Sequence, residues 1–281
     1  METLSDVALL RRRISSWRRA GERIGFVPTM GNLHEGHMAL VEAAKSRCDR
    51  CVVSIFVNPM QFGEGEDFAS YPRTMDEDQD KLRAVATDLL FAPSAASVYP
   101  QGDQTQTRVE VPGLSDILCG ASRPGHFVGV ATIVCKLFNY VQPDLAVFGE
   151  KDYQQLMVIR RMVDELAIPV EILGLPTVRE ADGLAKSSRN GYLSPEQRQQ
   201  APKLYESLRN TAEALRSGER NYADLEAKGM EMLRSAGFQP DYYTIRRAQD
   251  LQPPTADEQN LVILAAAFMG TTRLIDNLNA A

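Results

Sequence analysis

Four cysteines, three histidines and one tryptophan are few for 281 residues, and their scarcity narrows what the chain can be. Four cysteines cannot staple a chain of this size, which excludes a disulfide scaffold. Only Cys48 and Cys51 stand close together, as a CxxC. A structural zinc site would want a second close pair, yet Cys119 and Cys135 lie far apart. A thioredoxin-type redox pair sits where a strand meets a helix N-terminus. Here the order is reversed, with a helical pattern before the pair and a strand after it. The cysteines read as reduced core residues of a cytoplasmic protein. Long apolar runs are missing too: the longest, Leu261 to Met269, is too short to span a bilayer. Positive charge is not in excess. Lys+Arg number 31 against 37 for Asp+Glu, a net −6, so non-specific nucleic-acid binding has no basic face to rest on. Small molecules are the expected partners, not nucleic acid or a membrane. At the N-terminus, Asp6 and the arginines break the apolar stretch, leaving no signal-peptide core. Glu2 and Asp6 count against a transit peptide, and an amphipathic first helix is the better reading.

What is present is ordinary globular material, 44% hydrophobic and 24% charged, in a length that suggests about two domains. From Ile24 the pattern repeats strand, loop, helix. Ile24–Val27 is a short apolar run that Pro28 is expected to stop, since proline cannot donate to a sheet ladder. Gly36–Arg47 reads as a helix. Val52–Val57 reads as a strand buried on both faces, because its β-branched residues show no alternation. Thr74–Ala86 is a polar helix, Asp88–Phe91 a strand, and Phe127–Val141 a helix apolar nearly all round. Leu145–Phe148 (strand), Asp152–Leu166 (helix) and Val170–Leu173 (strand) close the series. The alternation predicts an α/β fold with a doubly wound parallel sheet, a Rossmann-like domain over residues 1–177. Beyond it the texture changes. Helical patterns at Pro195–Arg216 and Tyr222–Ala236, with strands at Tyr242–Arg246, Leu261–Ala265 and Arg273–Ile275, predict a smaller α+β C-terminal lid domain over 178–281.

In an open α/β sheet, ligands bind at the carboxyl ends of strands, near helix N-termini that attract anions. The loop after the first strand, Pro28 to His37, carries two of the three histidines. Three readings compete there. His34–Glu35–Gly36–His37 is one residue short of the HExxH of zinc proteases. A structural pair of capping histidines is the plain alternative. The third is H-x-G-H, the phosphate-binding motif of the class I nucleotidyl-transfer superfamily. Its second motif, a basic Lys/Ser-rich loop after the nucleotide domain, is matched in place by Lys186–Ser187–Ser188–Arg189–Asn190. Asp152 and Gln155 have the spacing of a helix capping box, D-x-x-Q. Asp76, Glu77, Asp78 and Asp80 read as a solvated helix face whose acids favour the dipole, with a magnesium contact as the minor alternative.

Taken together, FVPTMGNLHEGH, SIFVNPMQF, YPRT, RPGHFVGVAT, FGEKDYQQL, SSRNGYLS and TRLIDN resemble the pantoate–β-alanine ligase family. The resemblance implies a two-step ligase. ATP and (R)-pantoate give pantoyl adenylate and pyrophosphate, and β-alanine then attacks to give pantothenate and AMP. It implies ATP as a substrate, Mg2+ as a cofactor and a homodimer. It assigns ATP to Met30, Gly31, Asn32, Leu33, His34, Glu35, Gly36 and His37, and to Gly149, Glu150, Lys151 and Asp152. Val178, Lys186, Ser187, Ser188 and Arg189 complete that set, with Val178 offering backbone groups to adenine. His34, His37, Lys151 and Arg189 would be the catalytic donors and cations. Gln61 and Gln155 would hold pantoate, Asn58 would support them, and the metal ligands stay unassigned. His126, in RPGHF, is either a substrate-site residue or a packed loop histidine. One position departs from the family pattern: Lys186 stands where the family usually carries an apolar residue, and reads as a solvated rim charge.

Two rivals remain at this level. Another adenylyltransferase of the superfamily would take a phosphate nucleophile and want arginines where this chain has Gln61 and Gln155. A nucleotide-binding regulatory module would bind ATP without releasing pyrophosphate.

Overall fold

The computed structural model describes residues 1–280. The chain divides into two compact units, Met1–Glu150 with Val158–Pro176, and Lys151–Met157 with the residues from Thr177 onward. The sequence puts the division after residue 177. A seven-residue segment, Lys151–Met157, groups instead with the C-terminal unit.

The first unit runs β1 (Glu2–Leu4), α1 (Val7–Arg19), β2 (Ile24–Thr29), α2 (Glu35–Arg47), β3 (Arg50–Ile55), α3 (Met75–Ala84), β4 (Leu89–Phe91), α4 (Ala95–Val98), α5 (Cys119–Ser122), α6 (His126–Val141), β5 (Leu145–Gly149), α7 (Tyr153–Glu165) and β6 (Glu171–Leu175). The division between the units falls within α7. The six strands form one parallel sheet in the order β1-β4-β3-β2-β5-β6. Chain order reverses between β2 and β5, so the loops after these two strands flank the switch point where α/β sheets bind ligands.

Both faces of the sheet are covered, which explains the continuous apolar strands. Val27, Cys51, Val53, Leu90 and Val147 pack with Val41 and Ala44 of α2 and Leu82 of α3. Phe26, Phe91 and Phe148, on the other face, meet Phe138 and Tyr140 of α6 edge-on at 6.2–6.4 Å. Cys51 is wholly buried, and burial pushes its thiol up to about 12. All four cysteines are free thiols.

Pro28 does not stop β2. It continues the strand opposite Ser54, and Thr29 lies opposite Ile55. Thr29 O accepts the Phe56 N–H, so alternation turns Pro28 toward the β5 side, where pairing has already ended at Phe26. A missing N–H costs nothing there. The strand expected to run to Val57 ends at Ile55, and β1 extends the sheet edge with a three-residue strand that the periodicity does not show.

The second unit contains α8 (Pro195–Gln200), α9 (Lys203–Arg216), α10 (Tyr222–Ser235), β7 (Gln239–Arg247), β8 (Leu261–Met269) and β9 (Thr272–Asn279). The single helix expected over Pro195–Arg216 is two, divided at Ala201–Pro202, because proline supplies no N–H to continue the ladder. The strands pair antiparallel in the order β7-β8-β9 and are longer than their apolar centres suggest. Ile263, Ala265, Ala267 and Met269 of β8 share a core with Leu204, Leu208, Ala212 and Leu215 of α9.

Candidate active site

The loop between β2 and α2 is held through its backbone N–H groups from Gly31 to His34. Thr29 Oγ1 donates to Ser54 O at 2.8 Å and accepts the Gly31 N–H at 3.2 Å. Gly31 (φ +85°) and Asn32 (φ +49°) then turn the chain through two left-handed residues. A Cβ at Gly31 would stand 3.1 Å from both Asp78 Oδ2 and Ile55 Cγ2, so both conformation and space favour glycine. Leu33 is buried, and Glu35 is exposed in the first turn of α2.

His34 is the N-cap of α2. Its Nδ1 accepts the Gly36 N–H at 3.1 Å, while His37 Nδ1 accepts the His34 N–H at 3.2 Å. The two rings lie 4.1 Å apart. This is a capping box made of two imidazoles. The structural reading of the pair is therefore met, and it has a chemical consequence. An Nδ1 that accepts a backbone N–H holds no proton, so in the neutral ring the proton is assigned to Nε2. The cap thus makes both Nε2 atoms donors at a helix N-terminus, the place where anions bind.

A second cluster in this unit surrounds Gln61, in a 3-10 turn (Pro59–Gln61) after β3. Asn58 is buried, and its Nδ2 donates to Gln61 Oε1 at 3.2 Å and to Gly129 O at 3.1 Å. Its Oδ1 accepts from Tyr99 Oη at 2.7 Å and from Met60 N at 3.4 Å. Burial pushes the Tyr99 hydroxyl up, which keeps it protonated and donating. This network fixes which end of the Gln61 amide is oxygen. Nε2 points to Met30 Sδ at 3.1 Å, a weak acceptor that a better one could replace. Gly129 lets α6 approach: a Cβ there would stand 2.4 Å from Met60 O.

His126, which the sequence leaves between two readings, begins α6. Its Nδ1 lies 2.8 Å from Gln61 O, and Arg123 Nη1 is 3.1 Å from its Nε2. Arg123 also grips Glu66 through two bonds of 2.6 and 2.5 Å and donates to Gln61 O at 3.3 Å. Burial pushes the Glu66 carboxyl up, but the bonds and charge of Arg123 outweigh it and hold the group below the usual carboxylate range. His126 and Arg123 hold the backbone of Gln61, a positioning arrangement.

Asp78 corrects the sequence reading. Asp76, Glu77 and Asp80 are exposed, but Asp78 is 1% exposed. It is no part of a solvated face.

Within the second unit, Lys151 lies in a 3-10 turn, Glu150–Asp152, that leads into α7. Its carbonyl accepts from Asn277 Nδ2 at 2.9 Å, and its ammonium is 3.9 Å from Asp152. Asp152 ends the 3-10 turn, which runs directly into α7 at Tyr153. Gln155 is half-buried in the first turn of α7, and Gly149 ends β5. Arg179 makes a bidentate pair with the fully buried Asp276 at 2.6 and 3.0 Å and stacks 3.6 Å above the Tyr205 ring. Val178 O accepts the Lys186 N–H at 2.9 Å. Ser187 caps a 3-10 turn, Ser188–Tyr192, through the Arg189 N–H, and Asn190 Nδ2 donates to Ala185 O. Lys186 is not an open rim charge: its side chain is 18% exposed and its ammonium is 3.2 Å from Glu180.

Tyr99, Arg123, Glu66 and Asn277 were not singled out in the sequence, and Asp78 was named there only as one of four helix acids. Arg123 and Asn277 do lie inside the matched blocks RPGHFVGVAT and TRLIDN, which was the available signal.

A parallel sheet with a capped helix at its switch point defines an α/β domain of the class that binds anionic small molecules at that place. Comparison with known proteins narrows the class. The pantoate-β-alanine ligase family model matches residues 2–279, and the chain belongs to that family. It is 60% identical to pantothenate synthetase of Pseudomonas fluorescens strain Pf-5 over 279 residues, 99% of this chain and 98% of that one. It is 58% identical to the Shewanella loihica enzyme, again over 279 residues and 99% of both chains. The crystal structure of pantothenate synthetase from Thermus thermophilus superposes with a TM-score of 0.93 at 48% identity, covering 100% of this chain and 99% of that one. The Francisella tularensis pantoate-β-alanine ligase, solved with β-γ ATP and β-alanine, superposes with a TM-score of 0.83 at 36% identity, covering 100% and 98%. The chain is thus a ligase of pantothenate formation. Among the described residues no helix is long and apolar enough to cross a membrane.

Proposed function

We propose that the protein joins (R)-pantoate to β-alanine in two steps through a pantoyl adenylate, and that His34 and His37 serve the first. The observation that carries this reading is the imidazole capping box at the N-terminus of α2, on the loop after β2 that flanks the switch point of the sheet. Pantoate needs no activating base, because a carboxylic acid with a pKa near ~4 is already ionised at neutral pH. Its carboxylate oxygen attacks the α-phosphorus of ATP, a Pα–O bond breaks, and pyrophosphate leaves. The β-alanine amine then attacks the acyl carbon, AMP leaves and the amine loses a proton.

The barrier in the first step is the approach of one anion to another. Fixed donors lower it, each worth ~3–4 kcal/mol when removed. His34 and His37 supply such donors, and we assign Lys151 and Arg189 as cations for the phosphates. Gln61, held by Asn58 and Tyr99, offers an amide N–H to an oxygen of pantoate, and Gln155 is assigned to the same substrate. Among the described residues no group of three or more His, Cys, Asp or Glu could hold a metal. We assign Mg2+ to the ATP phosphates, with Asp152 as the carboxylate that would hold it or the ribose; the ion would neutralise phosphate charge when bound. We also propose a homodimer in the cytoplasm.

The test is pyrophosphate release from ATP. Release that depends on pantoate, with AMP appearing only after β-alanine is added, is expected. Transfer to a phosphate substrate without any carboxylate would replace this reading with an adenylyltransferase, and ATP binding without release would leave a regulatory module.

A further inference from the structure

Asp78 lies one turn into α3, within a run of acids, and nothing in its sequence neighbourhood separates it from Asp76 or Asp80. The structure does separate it. Its carboxylate is buried, and both oxygens are directed at the loop that precedes His34. Oδ2 accepts the Asn32 N–H at 2.8 Å, and Oδ1 accepts the Leu33 N–H at 2.7 Å. Thr74 Oγ1 donates to Oδ2 at 3.3 Å. One turn further along α3, Lys81 Nζ donates to Leu33 O at 2.8 Å. The same helix therefore holds Leu33 by both its N–H and its carbonyl.

The reason for a carboxylate lies in the backbone. Two consecutive residues with positive φ, Gly31 and Asn32, turn successive N–H groups toward a common point, an arrangement that binds anions. Asp78 is the anion that fills it. Charge-assisted bonds to two adjacent N–H groups are short and directional, so they fix the loop more tightly than neutral bonds would. The next residue is His34, extended at φ −134° and ψ 177°, the conformation that its capping role requires.

We propose that Asp78, seconded by Lys81, is a positioning residue for phosphate binding: it fixes Asn32 and Leu33, and through them the register of the His34–His37 cap, without itself touching the nucleotide. The proposal rests on the reading of that cap as the phosphate site. Misplacing donors by about an ångström costs on the order of 10²-fold when they act in the transition state, so a loosened loop shows in the ATP step.

The experiment compares Asp78→Asn, Lys81→Met and His37→Ala. Single-turnover pyrophosphate release and the KM values for ATP and pantoate are measured at a temperature where circular dichroism shows each variant folded. Asp78→Asn keeps the shape of the side chain but turns an N–H2 group toward a backbone donor. It is expected to lower kcat/KM for ATP by roughly tenfold or more, with the pantoate KM within about threefold of wild type. Lys81→Met is expected to lower the same quantity about threefold. A folded Asp78→Asn with wild-type kcat/KM for ATP would overturn the proposal, as would equal losses toward ATP and pantoate, the mark of a general defect. Should Asp78→Asn not fold, Lys81→Met decides: an ATP-selective loss supports the role and wild-type behaviour rejects it. His37→Ala separates the two readings. If it releases pyrophosphate at the wild-type rate, the phosphate-site reading fails and this proposal with it. If it is crippled while Asp78→Asn is not, only the positioning role is wrong.

Discussion

The loop that leads into α2 and the loop around Lys186 are both expected to meet phosphate, but they are held in opposite ways. In the first, side chains from α3 grip the backbone, and the two imidazoles cap the helix with one ring nitrogen each while keeping a proton on the other. In the second, the prominent cations are committed to carboxylates of their own unit: Arg179 to Asp276 and Lys186 to Glu180. A donor whose ring is fixed through its other nitrogen needs no reorganisation when charge develops on a substrate. A cation already paired must first be released. The count of basic residues in a loop therefore says less about catalysis than which atoms of those residues the fold has already used.

The Arg179–Asp276 pair offers the harshest way to break this contrast. Arg179→Met would leave a fully buried carboxylate without its partner and remove the contact with Tyr205. Losing one member of a buried pair costs ~3–5 kcal/mol, so the variant should unfold at lower denaturant, with the loss in the second unit. Urea melts followed by hydrogen exchange would locate it. A loss below about 1 kcal/mol would mean that the base of this region is not held by the pair.

A smaller effect is expected at the amide cluster. Gln61→Ala should raise the KM for pantoate by roughly 5- to 150-fold, since unpaired polar groups in a buried site cost ~1–3 kcal/mol. Tyr99→Phe, which removes one bond to Asn58, should act in the same direction and less. An unchanged pantoate KM in both would remove the cluster from the substrate site.

How much of this is legible in the sequence depends on the range of the interaction. Local signals carried well: α6 is apolar all round, β3 has no alternation, and HxGH at a strand-to-helix passage marks the loop itself. Elements set by a distant partner did not. The strand β1 is three residues long and exists because β4 offers an edge, and Pro28 stays in β2 because pairing with β5 has ended. Likewise, Asp78 sits 45 and 46 positions from the N–H groups it accepts, and Glu66 sits 57 from Arg123. In an acidic helix only burial distinguishes the carboxylate that organises a loop from those that face water.

The smallest expected effect concerns pH. Because Arg123 depresses the Glu66 carboxyl in the folded protein, the pair contributes stability above the pH where the unfolded carboxylate ionises. That contribution is lost as pH falls through the folded value. Melting temperature against pH should therefore differ between wild type and Glu66→Gln at neutral pH and converge in acid. A constant offset at all pH values would show that Arg123 does not perturb this group.

The most direct measurement of the central claim sets His37→Ala beside Lys186→Met in single-turnover pyrophosphate release with saturating pantoate. If the capped imidazole is a fixed donor and Lys186 is committed to Glu180, the first variant loses on the order of 10²-fold or more and the second less than roughly tenfold. Equal losses in the two variants would contradict the account.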